Sequence, residues 1–175
     1  MSHSAYVLAK SGASTWRGDE IDMHGVEDLD ELADTMRDFA DGALTLFFLE
    51  EDDEYVAIAR VEGDDDPRGF VSDARSLDTA TVAATIFDGA LELPVVVEDD
   101  GEPGEPGEDD EEEEDESEAP EIEPAGDSTL LSDLGVDEHM LLALCSAEGM
   151  LPADVITAIC ERVGCLEELE RVRGL

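Results

Sequence analysis

The chain has 175 residues, and its 50 acidic and 9 basic side chains give a formal net charge of -41 at pH 7. A surface this negative repels phosphate, which argues against direct binding to nucleic acid or to anionic membranes. The same charge favours encounter with basic protein surfaces.

Residues 1–97 are predicted to form an α+β module. The predicted strands are Ala5–Ala9, Trp16–Met23, Ala43–Glu50, Tyr55–Val61 and Gly69–Ser72, with Leu93–Val97 as a final strand or loop. Apolar residues three and four apart, from Leu29 to Ala40, predict a helix, and Gly42 is a suitable stop for it. A second helix is predicted over Asp73–Asp88. Because hairpin-length loops join several of the strands, we expect an antiparallel sheet with the first helix on one face.

Residues 98–127 are predicted to be a disordered acidic linker. They hold 18 of the 50 Asp and Glu residues, and Ile122 is their one large apolar residue. So much charge with so little apolar surface cannot offset the entropy lost on folding. The other 32 acidic residues lie elsewhere in the chain. Adaptation to high salt, or an acidic lineage, stays open as the cause of this background charge.

Residues 128–175 are predicted to form a small helical bundle. Asp137 is a candidate cap for one helix, Pro152 and Gly164 are suited to the two ends of the next, and Leu166–Val172 carries a last apolar stripe. A core of fewer than about 50 residues is marginal alone. We therefore expect this bundle to pack on residues 1–97, on a second copy of the chain, or on a partner.

Metal and disulfide chemistry find little support in the sequence. The three cysteines, Cys145, Cys160 and Cys165, form no paired framework, so we expect buried, reduced thiols. Their spacing does not match a zinc site, and Asp64–Asp66 is expected to be a solvated turn rather than a cation site. We predict no metal ion and no cofactor.

Catalytic motifs also find no match. The chain has no serine in a glycine-flanked elbow and no glycine-rich phosphate loop, and His3, His24 and His139 stand in unrelated settings. We predict no catalytic residue. Arg68 is expected to form an ion-pair cluster with Asp73 and Arg75, and we favour a structural role for this cluster over a binding role.

We recognise neither a signal peptide nor a membrane-spanning segment in the sequence. The first residues lack the basic end and long apolar stretch of a signal peptide, and no apolar run approaches the roughly 20 residues needed to span a bilayer. We expect a soluble, cytoplasmic protein.

Four stretches together resemble a known family. They are VEDLDELAD (Val26–Asp34), the strand pair and turn of Leu44–Ala74 with its DDDPRGFVSDA end, an acidic low-complexity middle, and the leucine-rich end of Leu130–Gly164 that begins LLSDLG. This set resembles the actinobacterial family of tRNA adenosine deaminase-associated proteins. The resemblance implies association with the enzyme that converts adenosine to inosine in tRNA, and it brings no catalytic residues.

The chain does not carry the motifs of the deaminase itself. That chemistry needs His-x-Glu together with Pro-Cys-x-x-Cys around zinc. Here no histidine is followed two residues later by Glu, and no cysteine follows a proline. We therefore expect a non-catalytic accessory protein that binds a partner, with tRNA adenosine deaminase as the candidate and the acidic linker on its basic surface. The alternatives are a small-ligand or enzymatic α+β domain, and a structural protein that dimerises through its C-terminal bundle.

Overall fold

A computed structural model describes residues 2–40, 43–78, 80–91 and 123–175 of the chain. Its central feature is a six-stranded antiparallel sheet with the strand order β2-β1-β3-β4-β5-β6. The strands are β1 (His3–Ser11), β2 (Thr15–Glu20), β3 (Thr45–Glu51), β4 (Tyr55–Val61), β5 (Arg68–Val71) and β6 (Ala125–Gly126). The helices are α1 (Leu29–Ala40), α2 (Val82–Ile86), α3 (Glu138–Ser146), α4 (Pro152–Val163) and α5 (Leu166–Arg173), with 3-10 turns at Ala74–Leu77 and Ser132–Leu134.

The central strands are buried on both faces of the sheet. Successive side chains of a strand point to opposite faces, so Phe47 and Leu49 of β3 join one hydrophobic cluster while Leu46 and Phe48 join the other. All four side chains are fully buried. A continuous apolar run of this kind is typical of strands covered on both sides.

The first face of the sheet is covered by α1 and by the segment that contains α2. Leu32, Ala33 and Met36 form the apolar stripe of α1 and have no exposed surface. At the N-terminal end of this helix the carboxylate of Asp28 accepts a hydrogen bond from the backbone N–H of Glu31 at 2.8 Å. The observed bounds of α1 agree with the apolar stripe predicted from Leu29 to Ala40.

The second face is covered by the C-terminal helices. Leu141 of α3, Ile159 of α4 and Leu169 of α5 are buried in the same cluster as Phe48 and Ile58 of the sheet. Packing on residues 1–97 was one of the three arrangements that the sequence left open. The described residues thus form three layers, with one sheet between two layers of helices.

The chain reaches the second face through β6, which the sequence did not predict. Ala125 and Gly126 pair with Val71 and Phe70 of β5, inside the range 98–127 predicted as a linker. Residues 98–122 of that range lie outside the described residues, as do Gly42 and Leu93–Val97.

The described residues before and after the gap come close together at β6. A Cβ placed on Gly126 would lie 3.1 Å from Cδ2 of Leu91, the last described residue before the gap. Leu91, before the gap, and β6, after it, are therefore neighbours at one edge of the sheet.

The prediction of one helix over Asp73–Asp88 is wrong. The structure has a 3-10 turn at Ala74–Leu77 and then the separate helix α2, Val82–Ile86. The hydroxyl of Thr81 accepts a hydrogen bond from the backbone N–H of Ala84 at 2.9 Å, so Thr81 caps a new helix instead of continuing an old one.

The predicted α+β class is confirmed, with its antiparallel sheet and C-terminal helices. Asp137 caps α3 by accepting a hydrogen bond from the N–H of Met140 at 2.8 Å, and α4 begins at Pro152 and ends before Gly164, as predicted. Of the helices in the described ranges, none combines the length and the apolar character that crossing a membrane requires.

Candidate functional site

The first cluster of charged groups holds the C-terminal segment on the sheet. The guanidinium of Arg60 on β4 is almost wholly buried, and it donates to the carbonyl of Leu130 at 2.6 Å and to Oδ2 of Asp133 at 2.8 Å. It also pairs with Glu62 at 3.1 Å. The Arg60 guanidinium holds the pKa of Asp133 below its usual range. Because these bonds are internal, Arg60 has a structural role.

The predicted cluster of Arg68, Asp73 and Arg75 is wrong in its partners. Arg68 pairs with Asp127 at 2.6 Å, whereas Arg75 pairs separately with Asp73 at 2.5 Å. Arg68 points across the sheet edge because β6, which the sequence did not reveal, brings Asp127 beside it. Both pairs fix chain turns, which agrees with the favoured structural role.

The arginines as a group are engaged inside the chain. Those whose guanidinium groups donate hydrogen bonds to other groups of the protein are Arg17, Arg37, Arg60, Arg68, Arg75, Arg171 and Arg173. Two of them anchor α5, since Arg171 donates to the carbonyl of Gly18 at 2.9 Å and Arg173 lies 5.0 Å from the ring centre of Tyr6. Most of the few positive charges are thus used to hold the fold together, and the carboxylates greatly outnumber them.

A buried polar cluster between β3, β4 and α2 is also structural. Glu51 accepts hydrogen bonds from the hydroxyl of Tyr55 and from the N–H of Val82, the latter at 3.0 Å. The hydroxyl oxygen of Tyr55 in turn accepts from the N–H of Ala83 at 3.3 Å. Burial, together with the Glu51 carboxylate, raises the pKa of Tyr55 well above its usual range. The cluster satisfies the first N–H groups of α2, so a structural role accounts for it.

A concave site lined by both helical and sheet residues is a groove beside the loop that joins β3 to β4. We call it the hairpin groove: it has a volume of about 210 Å³ and lies between residues 53–56, Ser72 and Asp73 just after β5, and residues of α3, α4 and the loop between them, from Cys145 to Val155. Val56 and Val155 form part of its buried floor. Asp53, Glu54 and Glu148 stand exposed at its rim.

The hairpin groove has no nucleophile prepared for chemistry. Burial raises the pKa of the Cys145 thiol to about 12, so the thiol stays protonated near neutral pH. The oxygen of Ser72 accepts a hydrogen bond from the N–H of Val56 at 3.0 Å, and no histidine lines the groove. These groups do not form a nucleophile and base pair.

The other two cysteines also offer no exposed thiol. Cys160 and Cys165 are buried free thiols, and the contact with Cys165, with burial second, raises the pKa of Cys160 far above its usual range. Within the described ranges, no three His, Cys, Asp or Glu side chains are grouped so as to hold a metal ion. Neither the buried thiols nor the grouping of these side chains indicates a redox or metal centre in that part of the chain.

The described residues define an acidic α+β protein that has a side-chain-sized groove and a sheet enclosed by two helical layers. Over residues 4–166 the chain matches the family described as Rv3753c-like tRNA adenosine deaminase-associated protein, and it belongs to that family. The family name gives association with a deaminase and does not describe a deaminase. Searches of curated proteins and of solved structures found no significant match.

Proposed function

We propose that the chain is a non-catalytic accessory protein that binds tRNA adenosine deaminase and lays its acidic segment on a basic surface of that enzyme. The acidic segment is defined here as residues 98–122, which hold 16 carboxylates and no Lys or Arg. The match to a family named for association with this deaminase is the observation that carries the proposal.

The described residues on either side of the gap support this role. Leu91, before the gap, lies beside Gly126 at the edge of the sheet. Because the chain joins residues 98–122 to the folded body on both sides, their 16 carboxylates stay tethered to it. A partner that contacts this edge meets a high local concentration of negative charge.

The chemistry of the partner supplies the other half of the argument. An enzyme that acts on tRNA needs a surface rich in Lys and Arg to neutralise phosphates. Carboxylates placed on that surface compete with RNA and shield the exposed basic charge. The accessory protein would thereby limit non-specific RNA binding and aggregation of the enzyme.

The test compares the full chain with a variant in which the 16 carboxylates of residues 98–122 are replaced by amides. This variant keeps the length of the segment and leaves Asp127 paired with Arg68, which a deletion of residues 98–127 would not. Binding to purified tRNA adenosine deaminase is measured over a range of salt concentrations. We expect the variant to bind more weakly and with a flatter salt dependence; unchanged affinity and slope would refute the electrostatic role.

Two other hypotheses stay predictions. The main argument for dimerisation through the C-terminal bundle was that its small core needs a surface to pack on. The apolar faces of α4 and α5 pack on the sheet, so that argument no longer applies. An enzymatic or small-ligand domain calls for polar groups that converge in a pocket, and in the hairpin groove Ser72 is engaged with the backbone. Cytoplasmic location and salt adaptation likewise stay predictions.

A further inference from the structure

The rim of the hairpin groove carries unmatched negative charge. Asp53, Glu54 and Glu148 take part in none of the ion pairs found in the described ranges, and no Lys, Arg or His lines the groove. Asp73 adds a fourth carboxylate, which Arg75 already neutralises. The rim is therefore complementary to one positive charge or more.

Below the rim, the groove offers apolar surface. Val56 and Val155 are buried, and Cys145 and Met150 are half-buried beside them. Leu151 follows Met150 in the loop between α3 and α4, and 48% of it is exposed. In the described residues only Leu175, at the chain end, is a large hydrophobic residue with comparable exposure. Leu151 therefore adds exposed apolar surface beside the groove in sequence.

The volume of the groove suits a single side chain better than a cofactor. Its volume of about 210 Å³ is below the roughly 300–1,000 Å³ of small-molecule sites. One long side chain fits this space better than a nucleotide or a flavin does. Lys and Arg have an apolar stem and a charged end, which match the apolar floor and the acidic rim.

We infer that the hairpin groove docks a short segment of a partner protein, in which one Arg or Lys enters the groove and a neighbouring apolar side chain packs on Leu151. This site is built from folded residues and is distinct from the acidic segment. The inference rests on the proposed function only in taking the occupant to be a protein segment. Its test uses a synthetic peptide rather than the deaminase, so the two ideas fail separately.

The experiment is an NMR titration of the full ¹⁵N-labelled chain with the peptide acetyl-Leu-Arg-Leu-amide. We expect saturable shifts at the amides of residues 53–56, 72–73 and 145–151. The double variant Glu54→Gln/Glu148→Gln should bind about fivefold more weakly, because each exposed charge pair contributes about 0.5 kcal/mol. Leu151→Ser should also weaken binding.

The matched control is Asp30→Asn/Asp38→Asn, which removes the same charge from exposed positions of α1 on the opposite face of the sheet. It should bind the peptide as the unaltered chain does. An equal loss in both double variants, shifts confined to residues outside the groove, or equal binding of a peptide with norleucine in place of Arg would overturn the inference. A dimer in sedimentation that Leu151→Ser abolishes would also overturn it, since the occupant would then be a second copy.

Discussion

At the scale of single residues, buried charges attach the C-terminal segment to the sheet. Arg60 is the central group, because it satisfies the carbonyl of Leu130 and pairs with Asp133 while 6% of its side chain is exposed. The polar atoms of a buried guanidinium need partners, and removing one of them leaves desolvated charge behind. The sequence showed Arg60 only as one apolar-flanked residue of β4, and its partners Leu130 and Asp133 lie some 70 residues away.

Asp133→Asn should lower the free energy of unfolding by about 1 kcal/mol near neutral pH, a value reduced for the exposure of the carboxylate. The pKa of Asp133 is lowered in the folded state. Its contribution is therefore present above the unfolded-state pKa of about 4, and it is lost as the pH falls through the folded value. Urea unfolding at pH 7 and at lower pH should show the difference between variant and unaltered chain shrinking on acidification.

The control for this prediction is Asp66→Asn. Asp66 is an exposed carboxylate in the turn before β5, and it joins no ion pair in the described ranges. Its replacement should leave stability within about 0.5 kcal/mol. If Asp133→Asn matched this control at pH 7, Arg60 would not need that partner.

At the scale of elements, most helices and strands follow from local sequence, and the exceptions depend on distant residues. Strand β4 and helix α1 have the bounds that their patterns predicted. The two-residue β6 has no pattern of its own and exists because Phe70 and Val71 pair with it. The unbroken apolar run of β3 was a signal of burial on both faces, which would have predicted a second helical layer.

Gly126→Ala tests the importance of β6. Gly126 has φ of 93°, and a Cβ there would overlap the carbonyl oxygen of Gly69. We expect a loss of about 2–3 kcal/mol in unfolding free energy, since backbone strain and a clash with backbone act together. Chemical denaturation of the variant and of the unaltered chain measures this loss in unfolding free energy.

Gly12→Ala is the matched control for that variant. Gly12 also has positive φ, at 82°, but a Cβ there meets nothing within 4 Å. Conformational strain alone should cost about 1 kcal/mol. Equal losses in the two glycine variants would mean that the close approach of β6 to β5 contributes nothing.

At the scale of the whole molecule, the sheet is the shared core of the chain. The sequence predicted separate modules at residues 1–97 and 128–175, because the acidic segment divides the chain by composition. Composition does not show where the ends of a segment lie in space, and here Leu91 and Gly126 are neighbours. That residues 128–175 form a separate module stays a prediction. The sequence indicated no specific docking site, since the hairpin groove joins residues about 90 positions apart.

A shared core predicts that changes on either face of the sheet affect one unfolding transition. Met36→Ala on the first face and Ile159→Ala on the second remove fully buried side chains. Each should cost about 2–5 kcal/mol and shift the same transition. The fluorescence of Trp16, which is buried in the second cluster, and the helical circular dichroism signal should change together. Two transitions, each sensitive to one variant, would show independent modules.

Our central proposal is that this acidic protein binds tRNA adenosine deaminase and does not catalyse deamination. Isothermal titration of the purified deaminase with the full chain, at low and at high salt, tests it most directly. The account predicts a saturable complex whose affinity falls as salt rises, with no conversion of adenosine by the chain alone. No detectable complex at low salt, or deamination by the chain in the absence of the enzyme, would contradict it.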